Sequence, residues 1–414
     1  MQKRQMVALV LYGLALSSVM ALLAFAFIMA EQVGSHLVWD MLLPLFPSRF
    51  VFSLVMLTLA TALLYLMKKE WGEIPRTSHE ILGELKEHET LTAKNSWRDL
   101  LAALVILSFG AGVGPEAPLL GAVIVFSIWQ ADKLRFITFH WQTVVSASFA
   151  QKISYLFHPR KYRLAYPHVK ARGLLNPKRK LWISLFILNG LVSFLLLMRA
   201  TDQPSFVTKL GVSHWQLADL VLVLPLMVYG LFSARAYGFL KRLVERGMRT
   251  IQKRPHGQLI VLIIGALAIL MMANTFPTLL FSGQHSMHLL HDVGMETPSL
   301  LLLGLSLLKL LFLEVCILAG WTGGDIFPIT FASVLHGFAI AQLFPGYDSL
   351  LIVLAVSLSF AIGLLGNEWL AGLFLSLFFP SDLWLLSFLM VVLCSLLKKW
   401  KERTRKESVI NETF

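Results

Sequence analysis

The chain has 414 residues, of which 57% are hydrophobic and only 14% charged, with a mean hydropathy of +0.70. A soluble chain is about 45–50% apolar and about 25% charged, so a cytosolic enzyme, a disordered polypeptide and a secreted disulfide scaffold are excluded. The formal charge of +12 reads as the orientation of a membrane protein, not as a nucleic-acid surface.

From the N-terminus, Met6–Ala30 is an apolar run long enough to cross a hydrocarbon core of about 30 Å as helix. Lys3 and Arg4 precede it, but it is too long for a signal-peptide core and no small-residue cleavage site follows, so it is expected to remain as a helix. Further apolar windows lie at 50–68, 99–113, 116–131, 143–157, 181–199, 215–240, 257–280, 299–319, 326–344, 348–365 and 369–397. A membrane barrel would show alternating segments of about ten residues instead. The pattern predicts an all-α polytopic membrane protein.

The longest polar segment, 68–99, carries a helix-like stretch at Thr77–Glu89, and the residues after Trp400 are expected to fray. Segments 68–98, 157–180, 235–254 and 398–406 are rich in Lys and Arg, whereas 31–49, 201–214 and 275–298 hold Arg49 and Lys209 as their Lys or Arg residues. The positive-inside rule then places both termini on the cytoplasmic side of the cell membrane, with the basic loops against anionic lipid. Cys316 and Cys394 sit within apolar stretches and read as small buried hydrophobes.

Two windows are interrupted alike. Gly-Ala-Gly-Val-Gly-Pro-Glu-Ala-Pro at 110–118 and Gly-Trp-Thr-Gly-Gly-Asp-Ile-Phe-Pro at 320–328 each follow an apolar helix and open another. Paired Gly/Pro interruptions point to an internal repeat with the binding site at its interface. The expected halves are 1–200 and 201–397, with a short basic tail at 398–414. A glycine turn that opens a helix presents unsatisfied backbone N–H groups and the positive end of a dipole, which suits a dehydrated anion without a tightly binding arginine. Glu116, in the first turn of its helix, is suited to occupy the anion position and to leave it on protonation; the plainer role is a helix cap. Asp325 has a related setting, with capping its competing role.

Four segments in order carry a family resemblance that spans nearly the whole chain. Gly114-Pro115-Glu116-Ala117-Pro118 resembles the Gly-Lys/Arg-Glu-Gly-Pro motif of the CLC chloride channels and transporters. Gly323-Gly324-Asp325-Ile326-Phe327-Pro328 is similar to their Gly-x-Phe-x-Pro motif, and Trp71-Gly72-Glu73-Ile74-Pro75 to Gly-Ser-Gly-Ile-Pro. Phe281-Ser282-Gly283-Gln284 resembles their Ser-Gly-Gly turn. The resemblance implies an inverted repeat of broken and tilted helices, a homodimer, and a mid-membrane inorganic anion site, chloride most simply, gated by Glu116. It implies anion binding at Gly72, Glu73, Ile74, Gly112, Gly114, Ala117, Gly324, Asp325, Ile326 and Phe327, with protons as the second transported species of exchanger members and no cofactor.

Departures bear on that reading. The family's filter serine falls on Gly72, its motif phenylalanine on Ile326 and the basic residue before the gate on Pro115, and no tyrosine follows Tyr347. Exchangers also use an intracellular glutamate, yet no acid lies between Asp132 and Asp202. Glu314 is a buried acid able to replace it, although pairing with Lys309 or a hydrogen bond to a neighbouring helix is the expected role. Fluoride or another anion is the first alternative cargo, and a non-transporting scaffold or sensor the second class of function. His285, His288 and His291 beside Asp292 are spaced for a metal, but no further ligand is indicated. His-Glu at 79–80 lacks the second zincin histidine, and no Walker loop, dinucleotide fingerprint or serine elbow is present. An enzyme is not expected.

Overall fold

A computed structural model describes residues 3–91, 95–166, 179–201, 209–283, 286–287 and 290–411. In chain order its helices are α1 (Lys3–His36), α2 (Arg49–Trp71), α3 (Ser78–His88), α4 (Ser96–Ser108), α5 (Glu116–Phe139), α6 (Trp141–Ser146), α7 (Phe149–Phe157) and α8 (Arg179–Ala200). There follow α9 (Leu220–Gln252), α10 (Gly257–Thr275), α11 (Leu290–Glu296), α12 (Ser299–Leu318), α13 (Ile326–Ala341), α14 (Ser349–Leu365), α15 (Glu368–Ser376) and α16 (Trp384–Asn411). Among the described residues, eight helical segments are long and apolar enough to cross a membrane, and the isolated antiparallel bridge between Gly114 and Gly324 lies outside any strand. The protein is an all-α, multi-pass membrane protein.

Most windows become helices, and the exceptions have local causes. The window 116–131 ends at the first charges, but α5 continues to Phe139 because those charges find partners. Lys133, with no exposure, donates to the carbonyls of Tyr155 and Lys161 at 3.0 Å each, and Asp132 meets Arg135 at 2.5 Å. The window 143–157 divides into α6 and α7, since Ser148 caps α7 reciprocally with Gln151. The window 369–397 breaks at Pro380, which is extended. The tail does not fray at Trp400: α16 runs on to Asn411.

The chain forms two compact units, 1–44, 63–108 and 115–204 in one, and 45–62, 109–114 and 205–414 in the other. In the first, α1 lies along α8, α4 and α5. Polar side chains join these helices: Gln130 Nε2 donates to Gly13 O at 2.8 Å, Asn189 Nδ2 to Ser17 Oγ at 2.8 Å, and Tyr12 Oη to Leu156 O at 2.6 Å. Within hydrocarbon such bonds hold helices that apolar burial alone does not distinguish from lipid.

The second unit is built around α14, buried from Leu350 to Ile362 and packed on α9 and α13. Small residues allow the approach. A Cβ on Gly230 would lie 2.1 Å from Ser359 Oγ, and one on Gly337 2.8 Å from Val353 O. Asp348 caps α14, accepting from Leu351 N at 2.7 Å, and also accepts from Ser213 Oγ at 2.9 Å and His214 N at 2.7 Å.

Candidate functional site: two paired helix breaks

Both interruptions found in the sequence are real breaks with the same backbone course. After α4 the chain turns at Gly110, φ +84°, and after α12 at Gly320, φ +85°. Four residues further on in each come Gly114 and Gly324, and two residues later the next helix begins, α5 at Glu116 and α13 at Ile326. One constant interval therefore separates Gly110 from Gly320, Gly114 from Gly324 and Pro118 from Pro328. Gly114 N donates to Gly324 O at 2.8 Å and Gly324 N to Gly114 O at 2.6 Å. The two residues exchange both hydrogen bonds, as a hydrogen-bonded antiparallel pair does, about a local twofold axis.

This pairing assigns work to the expected anion-binding residues. The N–H groups of Gly114 and Gly324 are engaged with each other, and that of Gly112 with Cys316 Sγ at 3.4 Å. These glycines build the turn. The first hydrogen bonds inside α5 and α13 are donated by Leu119 and Ile329, and Pro118 and Pro328 have no N–H. So the amides of Glu116 and Ala117, and of Ile326 and Phe327, turn to acceptors outside their own helix. They are the donors with the dipole behind them. Glu116 is half-buried, Asp325 exposed, Ala117 and Ile326 half-buried. The Phe327 ring meets Phe374 edge-on with centroids 4.7 Å apart, which directs it into packing.

In the first unit, Gly72 takes φ +84° and its N–H is engaged with Lys68 O at 2.9 Å. Lys68 Nζ returns to Ile74 O at 2.7 Å, and the Ile74–Pro75 peptide is cis. Glu73 is exposed and Ile74 buried. Arg76 anchors the segment, its Nη2 2.8 Å from Asp99 Oδ2 and its Nη1 3.0 Å from Glu84. Thr77 then opens α3 with a reciprocal cap to Glu80 and Glu89 closes it, so the helix expected at Thr77–Glu89 has those bounds as its N- and C-caps.

The structure decides between the two partners expected for Glu314. It is the neighbouring helix and not Lys309 that holds Glu314, through Lys241 of α9, Oε2 to Nζ 3.0 Å. Residue 309 lies more than a full turn from 314 along α12 and falls on another face. Lys309 donates instead to the carbonyls of Leu279, at 2.8 Å, and Phe281. His285 and His288 lie outside the described residues, as does the side chain of His291, so the histidine spacing finds no structural account.

A multi-pass helical protein with two mutually bonded breaks has the build of an ion channel or transporter. The chain belongs to the voltage gated chloride channel (CLC) family, whose profile matches residues 178–395. It is a membrane protein of CLC-type anion transport. No curated protein matches the sequence. Among solved structures, a CLC-type fluoride/proton antiporter is similar over 94% of this chain and 95% of its own, at 16% identity and a TM-score of 0.63. A slow cyanobacterial Cl−/H+ antiporter is similar over 95% and 93%, at 14% identity and a TM-score of 0.64. At these identities the likeness is one of fold.

Proposed function

We propose that the protein moves an inorganic anion, chloride most simply, past a mid-membrane site at the two breaks, with Glu116 as the gate. The observation that carries the reading is the Gly114–Gly324 pair. It fixes two turns, each followed by a helix whose first amides look beyond the helix for acceptors. Chloride held by amides, with no full charge touching it, can both enter and leave. The Glu116 carboxylate competes for the same donors and withdraws when protonated. Residues 72–75 join this site on resemblance alone. The reading also includes inverted half-repeats at 1–200 and 201–397, a homodimer, cytoplasmic termini and basic loops on anionic lipid. Transport in this reading is passive or atypically coupled to protons: both similar solved structures are proton antiporters, and no acid lies between Asp132 and Asp202 for the familiar proton route.

Purified protein in liposomes, under a potassium gradient with valinomycin, should release chloride, and pH in the same vesicles reports coupled protons. Fluoride is the second cargo to test, since one similar structure is a fluoride/proton antiporter and the family's filter hydroxyl is replaced by Gly72. Silence toward chloride, fluoride and nitrate by folded, inserted protein would sink the proposal and leave a scaffold or sensor.

A further inference from the structure

The lysine that the sequence paired with Glu314 has another place. Lys309 lies midway along α12, a membrane-spanning helix, and is fully buried. Among the described residues no carboxylate forms an ion pair with it, Glu314 being engaged with Lys241. Its acceptors are the carbonyls of Leu279 and Phe281, just past the C-terminal end of α10.

Three connections tie this ammonium to the first break. Phe281, which accepts from Lys309, donates its own N–H to Gly110 O at 3.4 Å. Phe312, one turn beyond Lys309, has its ring centroid 5.6 Å from Nζ and covers Gly112 so closely that a Cβ there would lie 2.6 Å from the ring. Cys316, a further turn along, accepts from Gly112 N. Lys309, Phe312 and Cys316 stand at i, i+3 and i+7, one face of α12 laid against residues 110–112.

We propose that Lys309 is a specificity-determining residue, supplying from behind the first break positive charge that makes the site favour anions. The charge does not touch the anion, so it raises affinity without trapping it. The same ammonium positions the Phe281 turn against Gly110. At an effective dielectric of about 20, a unit charge one layer removed changes anion affinity by roughly tenfold.

This inference rests on the proposed anion transport, and one experiment separates the two. Initial flux is measured against chloride concentration in liposomes for the wild type, Lys309→Gln and Lys309→Arg, each normalised to folded protein by gel filtration. Lys309→Gln should raise the half-saturating chloride concentration roughly tenfold, with Lys309→Arg close to wild type. A merely structural lysine would lower maximal flux and leave half-saturation alone. If Lys309→Gln does not fold, Lys309→Met is the second neutral variant, and Lys309→Arg must still keep the wild-type half-saturation. Unchanged half-saturation in a folded neutral variant, or a large shift in Lys309→Arg, overturns the inference while transport stands. No flux in the wild type overturns the transport reading itself.

Discussion

The two breaks share a backbone and differ in almost every side chain. Both turn at a left-handed glycine, both pair through a second glycine and both place a proline at the third helical position. At equivalent places the first break has Ala111, Val113, Pro115, Glu116 and Ala117 where the second has Trp321, Gly323, Asp325, Ile326 and Phe327. The second is held from within by large groups: the Trp321 indole donates to Leu262 O at 3.0 Å and Phe327 packs on Phe374. The first is small and is held from outside, by Phe312 and Cys316 of α12. The frame repeats and the chemistry does not. A carboxylate in the first helical turn occurs in one break, the one that holds the proposed gate, while the other is the more heavily anchored.

The most severe way to break this comparison exploits the contact between equivalents. A Cβ on Gly323 would lie 2.5 Å from Val113 Cγ2 and 3.0 Å from Gly114 O, so the first break fills the space that the second leaves open. Gly323→Val is expected to abolish flux and to destabilise the protein by about 1–3 kcal/mol or more. The exchange Val113→Gly with Gly323→Val should restore part of both, because it returns one valine to the pair. Unfolding temperature in detergent and chloride flux read the outcome. A double variant no better than the single one would mean that the two breaks are not interchangeable around their axis.

A second test sharpens the chemical difference. If Glu116 gates by leaving when protonated, wild-type flux rises as pH falls, and Glu116→Gln fixes the neutral form. The variant should carry at neutral pH about what the wild type carries in acid, with a flat pH profile. The matched change in the other break, Ile326→Gln, should leave the slope of the profile intact. A variant of Glu116 that retains the wild-type slope removes the gate from the proposal.

What the sequence made legible is what physics writes locally. Apolar length marked the spans, glycine and proline marked both breaks, and the helix-like stretch Thr77–Glu89 marked α3. The Gly114–Gly324 bridge was not legible, since a glycine carries no mark of its partner. Charged groups were misread for a related reason. A hydropathy window takes Lys133 as an end, and nearness in sequence suggested Lys309 for Glu314. Lysine in hydrocarbon is satisfied as well by main-chain carbonyls as by acids, and carbonyls occur in every residue. The regular offsets of Lys309, Phe312 and Cys316 were visible on one helix face, but the thing they face lies about two hundred residues away in the chain.

The helix that leads into the second break carries its ion pair, Glu314 with Lys241, toward its C-terminal end, whereas the pair on the helix leading into the first, Asp99 with Arg76, lies in its first turn. Glu314 is 6% exposed and Lys241 45%, so Lys241→Met leaves a carboxylate without its cation in a mostly apolar setting. The expected loss is about 1–2 kcal/mol, less than the 3–5 kcal/mol of a fully buried pair because the lysine already meets solvent. Replacing Glu314 by Gln in the same chain should recover most of it, as the charge that needed a partner is gone. Equal unfolding temperatures for wild type and Lys241→Met would show that the pair adds nothing to the second break.

The mildest change tests the anchoring of the second break. Trp321 is fully buried, its indole bonded to Leu262 O and its ring so close to Gly265 that a Cβ there would lie 2.5 Å away. Trp321→Phe keeps much of the ring and removes the donor. Leu262 O still has its place as an acceptor within α10, so no carbonyl is stranded, and the loss should be near that of a single hydrogen bond, about 0.5–1.5 kcal/mol. Flux should persist, with half-saturation unchanged, because the side chain holds the second turn and offers nothing to the anion. Its counterpart Ala111 has no such bond to lose. A marked change in anion affinity on Trp321→Phe would give the second break a chemical part and undo the division between gate and anchor.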